Sequence, residues 1–353
     1  MTSSHRTYEI GACVWFLDRL AAAEDQALIR TLAYRLIAGQ RYRGGWYYNV
    51  PLLTQEQEEE LARLLREQFE NPAGLPMAPG STPDLPVGKV AITPPVFSPL
   101  SIGPIRDCPV FLFKEGTRLS DVKMAGHEDN SLTQFSLLAL WRAKNYGVPI
   151  HRSLAFAEQR FRDSQLDQGS WTYTWFKSPG PGVFVKGGRQ DSMTCSGLLG
   201  LAVGRGGRVD LKKDVGGKGD DAIEKGLIAL GRRLKELGKS EKSPSPIGVD
   251  ADAWGDLYFL WSLERMAVLY DLRFVGETDW YAWGVPYILR GQKEDGSWLA
   301  GHSTTADTCF ALLFLRRANV AQDLTVVLQG LSVTKNAGER QGGFQAPFQG
   351  AAK

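Results

Sequence analysis

A seven-residue motif, Gln-x-x-x-Gly-x-Trp, occurs three times and limits the fold of this chain more than any other feature. It spans residues 40–46, 165–171 and 292–298, which places its tryptophans 125 and 127 residues apart. Even spacing of one motif indicates an internal repeat rather than three chance helix ends. The glycine permits a turn, the indole is a flat apolar surface, and the glutamine amide can hydrogen-bond to the next repeat. The predicted structural residues are Gln40, Trp46, Gln165, Trp171, Gln292 and Trp298.

Strongly apolar helices alternate with amphipathic ones around these motifs. The apolar helices are predicted near residues 7–20, 129–142, 191–201, 252–265 and 305–317. Amphipathic helices are predicted between Asp25 and Gly39 and at 54–70, 151–164, 221–238 and 279–290, with a short segment at 323–329. A Gly/Lys-rich loop is predicted at 204–219.

The apolar helices share one register, in which Ile10, Thr133, Thr194, Asp256 and Thr308 form a column. The intervals are 123, 61, 62 and 52 residues, and the first is about twice the others. One repeat is therefore expected to have degenerated near 54–125. Ten of the 18 prolines lie between residues 71 and 109, which excludes regular helix there.

These patterns predict an all-α fold of six nominal helix hairpins, five of them recognisable. Because the apolar helices are apolar almost all round, a closed (α/α) barrel with these helices inside is favoured over an open solenoid. The whole of 1–353 would be a single domain, with a Pro-rich insertion at 71–126 and a flexible tail at 330–353.

Composition narrows the class of protein. A net charge of +2 gives no reason to expect nucleic-acid binding. The N-terminus lacks an apolar signal region, and no run approaches the ~20 apolar residues of a membrane span, so we expect a cytoplasmic protein.

Cys13, Cys108, Cys195 and Cys309 are interpreted as buried thiols. The first helix begins almost at residue 7, which would suit one domain of a longer protein.

The repeated motif resembles the QW motif of squalene-hopene cyclases and related triterpene cyclases. Residues 304–315 also resemble inner helices of the terpenoid cyclase and protein prenyltransferase superfamily. The resemblance covers most of 7–325 except 71–126. It implies an (α/α) toroid with inner helices around an apolar cavity, and an apolar ligand such as an isoprenoid.

The catalytic motifs of that superfamily are incomplete here. Cyclases use Asp-x-Asp-Asp-Thr-Ala, whose middle Asp is the acid, and the nearest match places Ala306 at that position and keeps only Asp307. Prenyltransferases bind zinc through an Asp, a Cys and a His, but Asp307 stands where this stretch would supply the His, although Cys309 follows two residues later. We therefore predict no metal and no cofactor.

Acidic residues stand at the starts of the apolar helices, which in a toroid would meet at one mouth. The catalytic candidates are Asp129, Asp191, Asp252 and Asp307, with His127 and His302 as acid–base partners. The alternatives are simple helix capping for the acids and solvent-exposed loop positions for the histidines. The predicted ligand-binding aromatics are Trp141, Trp254, Tyr258, Trp261 and Phe310; ordinary core packing is the alternative.

Three functions remain open at this stage. The first is a terpenoid-cyclase-like toroid, an isomerase or lyase if it is an enzyme, which binds an apolar ligand in its centre. The second is a non-catalytic scaffold or protein-binding toroid, favoured by the missing acid at position 306. The third is a carbohydrate-active (α/α) barrel, which would need two carboxylates about 5–10 Å apart across an open groove.

Overall fold

The computed structural model describes residues 4–70, 105–113, 118–119, 127–175, 190–210, 220–239, 256–317, 319 and 321–329. These ranges are mostly helical, which confirms the all-α class, and contain a two-stranded hairpin of β1 (Phe274–Val275) and β2 (Thr278–Asp279). The described helices are α1 Thr7–Leu20, α2 Gln26–Ala38, α3 Gln55–Glu70, α4 Pro109–Leu112, α5 Asn130–Ala143, α6 His151–Ser164, α7 Gln190–Asp210, α8 Asp221–Lys239, α9 Asp256–Leu269, α10 Trp280–Arg290, α11 Thr304–Arg316 and α12 Gln322–Gln329.

The five apolar helices pack side by side in chain order. Helix α1 contacts α5, α5 contacts α7, α7 contacts α9, and α9 contacts α11. The amphipathic helices lie against this row: α2 on α1 and α5, α6 and α8 on α7, and α10 on α9. The short α12 instead lies against α7 and α9. Two layers of helices thus enclose one apolar core.

The predicted degenerate repeat contributes no described helix to the apolar row between α1 and α5, which contact each other directly. Helix α3, from the degenerate region, lies outside them on α2 and α6 and buries Leu61, Leu64 and Leu65. The amphipathic pattern of α3 suits this outer position, because only one of its faces is apolar. Most of the predicted Pro-rich insertion at 71–126, and all of the predicted tail at 330–353, lie outside the described residues.

The predicted loop at 204–219 is wrong in its first part, because α7 continues as helix to Asp210. Its glycines serve close packing rather than a turn. A Cβ atom at Gly204 would overlap the side chain of Glu158, and one at Gly206 would overlap Leu324. Glycine costs a helix about 1 kcal/mol relative to alanine, and here the close approach of α6 and α12 offsets that cost.

The prediction that the apolar helices are buried on all sides is wrong for α1 and α11, the two end helices of the row. Phe16 and Leu20 on α1 are 55% and 56% exposed, and Leu312 on α11 is 54% exposed. The thiol of Cys309 on α11 is likewise exposed, so the prediction that all four cysteines are buried is wrong. The reason is positional: an end helix leaves one of its flanks without the apolar helix that covers the inner members of the row.

The three motif turns have the same hydrogen bonds. Each glutamine Nε2 donates to the carbonyl of its motif glycine at 2.9–3.0 Å. Each tryptophan Nε1 donates to a carbonyl ten residues earlier at 2.7–2.8 Å. The motif glycines Gly44, Gly169 and Gly296 have φ of 80°, 96° and 80°, a region that favours glycine. The indoles of Trp46, Trp171 and Trp298 are buried.

Each turn is also tied to the next apolar helix. The backbone N–H of Trp46, Trp171 and Trp298 donates to the hydroxyl of Thr133, Thr194 and Thr308 at 3.2, 3.5 and 3.1 Å. These threonines belong to the column aligned from the sequence. A turn thereby fixes where the following apolar helix lies, and it positions residues that are far apart in sequence at the same end of the row.

Candidate functional site

Five aromatic side chains from four helices meet inside the row and form what we term the aromatic cluster: Trp15, Phe135, Tyr258, Trp261 and Phe310. Ring centroids are 4.8 Å apart for Trp15 and Phe135, 4.9 Å for Phe135 and Trp261, and 5.3 Å for Trp261 and Phe310. Tyr258 lies 5.6 Å from Phe310. Trp15 and Phe310 remain only partly buried. The cluster is therefore an apolar surface, and part of it is accessible to solvent.

Polar groups adjoin the aromatic cluster at the N-terminal end of α5. The hydroxyls of Tyr8 and Ser131 are hydrogen-bonded, and the Ser131 N–H donates to Asp129 Oδ1 at 2.7 Å. One turn along α5, Gln134 Nε2 donates to the hydroxyl of Tyr258. The Tyr8 ring also meets the Phe135 ring edge-on at 5.0 Å, which joins the polar groups to the aromatic cluster.

Burial keeps the two tyrosine hydroxyls of this region uncharged over a wide pH range. It raises the pKa of the Tyr8 and Tyr258 hydroxyls above the ordinary tyrosine value, so both phenols stay protonated and can donate hydrogen bonds. Burial also raises the pKa of Asp129, although the hydrogen bonds from Ser131 act in the opposite direction. Asp129 is the N-cap of α5 as well. Asp129 thus combines helix capping with a raised pKa, because the cap is buried.

A histidine–aspartate pair stands at the start of α11. Asp307 is fully buried and accepts from the backbone N–H of Ala300 at 2.7 Å and of His302 at 3.2 Å. Its Oδ1 lies 3.2 Å from His302 Nδ1. The His302 side chain is 40% exposed and its ring lies 6.0 Å from Tyr258. A carboxylate on Nδ1 orients the imidazole and leaves Nε2 to exchange protons, which is an acid–base arrangement.

The other predicted site residues lie elsewhere. Asp191 makes an ion pair with Arg233, whose Nε is 3.1 Å from both carboxylate oxygens. Trp141, near the C-terminal end of α5, donates to Asp323 of α12 at 3.1 Å. The predicted Asp252 and Trp254 fall outside the described residues.

Of the predicted acids, Asp129 and Asp307 both lie near Tyr258. Asp129 acts electrostatically on the Tyr258 hydroxyl, and Asp307 holds the His302 ring that faces Tyr258. His127 contacts Tyr47 instead, at 6.0 Å between ring centroids. The structure thus brings two of the four candidate acids to one region of the molecule.

Sequence reasoning missed Tyr8 and Gln134 as members of this region. A signal for Gln134 was present, because polar residues are unusually frequent in an otherwise apolar helix. Buried polar groups need partners, and a cluster of them marks a specific polar site. The buried polar residues of α5 are Asn130, Ser131, Thr133, Gln134 and Ser136.

Neither a metal site nor a membrane span is found in the parts of the chain that the structure describes. Within these ranges no three His, Cys, Asp or Glu side chains lie close enough to hold a metal ion. None of the helices described above combines the length and apolar character that crossing a membrane requires.

Comparison with known proteins returns no match: no protein-family model, no curated protein and no solved structure matches this chain.

Proposed function

We propose that the five apolar helices are the inner helices of an (α/α) toroid similar to the terpenoid cyclases and protein prenyltransferases, and that its centre binds an apolar ligand such as an isoprenoid. The observation that carries the proposal is the aromatic cluster, which four different helices bring together. Aromatic side chains offer large apolar surfaces and π faces, the chemistry that unsaturated hydrocarbons and their cations favour.

Partial exposure supports a binding role over plain core packing. Phe135, Tyr258 and Trp261 are buried, whereas Trp15 and Phe310 keep solvent-accessible surface at the edge of the cluster, where a ligand can contact them. Covering such surface stabilises a complex by about 25 cal/mol per Å² of apolar area. A ligand that lies against Trp15 and Phe310 would gain this energy without opening the fold.

We assign acid–base chemistry at the polar end of the ligand to His302, with Asp307 as its positioning residue. Protonation by a free aspartic acid is not proposed, because Ala306 occupies the acid position of the cyclase motif. The carbohydrate-active alternative is not carried further. It needs two available carboxylates, whereas Asp191 is engaged by Arg233 and Asp307 is fully buried.

Native mass spectrometry of the gently purified protein tests the binding proposal. The wild type should carry one apolar molecule per chain, which extraction into organic solvent releases. Phe310→Asp places a charge against the aromatic cluster and should abolish this mass excess. Leu289→Asp, on the exposed side of α10, is the matched control and should retain it. A wild-type protein without any bound molecule, and without affinity for added farnesol, would overturn the proposal.

A second candidate function, a protein-binding toroid, is favoured by the exposed apolar side chains of the end helices. Phe16, Leu20 and Leu312 are each more than half exposed. Phe16 and Leu20 lie one turn apart on α1, and adjacent exposed apolar groups often mark a protein-binding surface. Stable binding of another polypeptide by a ligand-free protein would favour this second function.

A further inference from the structure

The third motif turn differs from the other two in what lies against it. Gln40 Nε2 donates to the Ser153 carbonyl of α6 at 3.0 Å, and Gln165 Nε2 donates to the Ala222 carbonyl of α8 at 2.8 Å. Within the described ranges, the exposed Gln292 donates only to its own turn, at Gly296. Each of the first two glutamines therefore holds the first turn of an amphipathic helix, and the third does not.

The motif glycines show the same difference. A Cβ atom at Gly44 would overlap the Phe156 carbonyl of α6, and one at Gly169 would overlap the Lys225 carbonyl of α8. At Gly296 the nearest atom would be Gln292 Nε2, at 3.9 Å. The first two glycines allow a helix backbone to approach closely, and Gly296 offers the same approach on an open surface.

A third difference lies on the apolar helix that follows each turn. Four residues after the threonine that accepts from the tryptophan stand Leu137 on α5, Leu198 on α7 and Leu312 on α11. Leu137 and Leu198 are fully buried, and Leu198 lies against Gly226 of α8. Leu312 is 54% exposed. The same position in the repeat is covered twice and open once.

We propose that the third motif turn and the outer side of α11 bind an amphipathic helix from a second polypeptide, seated as α8 is seated on the second turn. We call this surface the helix-binding face and define it by Gln292, Gly296, Cys309 and Leu312. Three independent features, a hydrogen-bond donor, a glycine contact and an apolar side chain, each have an occupied counterpart elsewhere in this chain.

The occupied turns specify the chemistry of the partner helix. A carbonyl in its first turn accepts from Gln292, and its backbone passes Gly296 one turn later. Its inward face carries apolar residues at spacings of three and four, since α8 buries such a stripe against the row. In α8 the buried stripe is Ile223, Leu227, Leu230 and Leu234.

The two segments that follow α11 in sequence fit the helix-binding face poorly. Helix α12 follows α11 in sequence but lies against α7 and α9. Residues 330–353 contain five glycines and one proline and lack the apolar spacing of an amphipathic helix. In a second copy of this chain, α6 and α8 would already bury their apolar stripes within their own fold. A helix of another protein is the occupant that meets all the requirements.

A synthetic peptide of residues 220–239, which contains α8 and the residue before it, is the probe for the helix-binding face. Cys309 lies on this face and is exposed, so it can carry an environment-sensitive fluorophore in a Cys13→Ser background. The peptide should bind saturably at one per chain. Leu312→Asp should weaken the binding at least about tenfold, since a charge would face the apolar stripe. Gln292→Glu should weaken it as well, because its carboxylate would face a backbone carbonyl.

The control is Val326→Asp, which places the same charge on a 67% exposed residue of α12 and should leave the binding unchanged. Equal binding by Leu312→Asp and the wild type would overturn the proposal, as would no binding of the peptide. Two other results would overturn the choice of occupant. Dimers that Leu312→Asp dissociates would show a second copy on this face, and a gain in peptide affinity after removal of 330–353 would show the chain's own tail.

Discussion

The indole hydrogen bond of the third motif turn leads to a specific prediction about the free energy of unfolding. Trp298 Nε1 donates to the Ile288 carbonyl at 2.7 Å and its side chain is buried. Trp298→Phe keeps an aromatic ring but removes the indole donor, so the Ile288 carbonyl loses its shorter hydrogen bond and retains the 3.1 Å bond from the Gly291 N–H. Trp283 on α10 provides a matched control, because its buried Nε1 has no hydrogen-bond partner among the described residues. Trp283→Phe therefore removes a similar volume and loses no hydrogen bond.

The magnitude follows from the net value of one hydrogen bond, because the Ile288 carbonyl still accepts from the Gly291 N–H. A typical hydrogen bond contributes about 0.5–1.5 kcal/mol, while the loss of ring volume affects both variants in the same direction. The free energy of unfolding should therefore fall by about 0.5–1.5 kcal/mol more for Trp298→Phe than for Trp283→Phe. Trp298→Ala, which also opens a cavity, should cost about 3–5 kcal/mol.

Urea denaturation followed by far-ultraviolet circular dichroism measures these differences, provided that the denaturant slopes of the variants agree. Equal losses for Trp298→Phe and Trp283→Phe would refute the role of the indole N–H. An unchanged stability of Trp298→Ala would refute the structural role of the turn altogether.

Three further predictions concern single groups. Gly169→Ala should lower the free energy of unfolding by at least about 1 kcal/mol more than Gly296→Ala, because both have positive φ but only the first adds a clash with Lys225; urea titrations compare them. Burial raises the pKa of Glu264 from 4.5 to about 7, so the folded chain holds a proton that the unfolded chain releases. Stability should thus fall by about 3 kcal/mol between pH 5 and pH 8 from this group, and Glu264→Gln should remove that slope. Asp307→Ala should cost about 1–3 kcal/mol by leaving the buried N–H of Ala300 unsatisfied, and an unchanged melting temperature would contradict this.

Local features of the structure were accessible from the sequence. The motif spacing predicted three equivalent turns, and the aligned threonines are the residues that accept from the tryptophans. Periodicity located the helices because a buried stripe leaves a repeating pattern. It misread the glycines after Gly204, since a glycine that admits a neighbouring helix and a glycine that forms a turn look alike in one sequence.

Features that depend on neighbours in space could not be predicted from the sequence. Gln134 and Tyr258 are 124 residues apart, and no pattern in either segment predicts the hydrogen bond between them. The exposure of Leu312 could not be predicted from the sequence either. Its position in the repeat matches that of the buried Leu198, and only the surrounding helices differ. The pairing of His302 with Asp307 lies between these cases: the two residues are five apart, but their contact depends on how the chain enters α11.

Photoaffinity labelling with a diazirine derivative of farnesol tests the central claim, that the aromatic cluster binds an apolar ligand, most directly. Fragment-ion sequencing of the labelled peptides should place the label on Trp15, Trp261 and Phe310 themselves, and an excess of unlabelled farnesol should compete it away. Label found instead on the exposed Phe16 and Leu312, or scattered without competition, would contradict the claim.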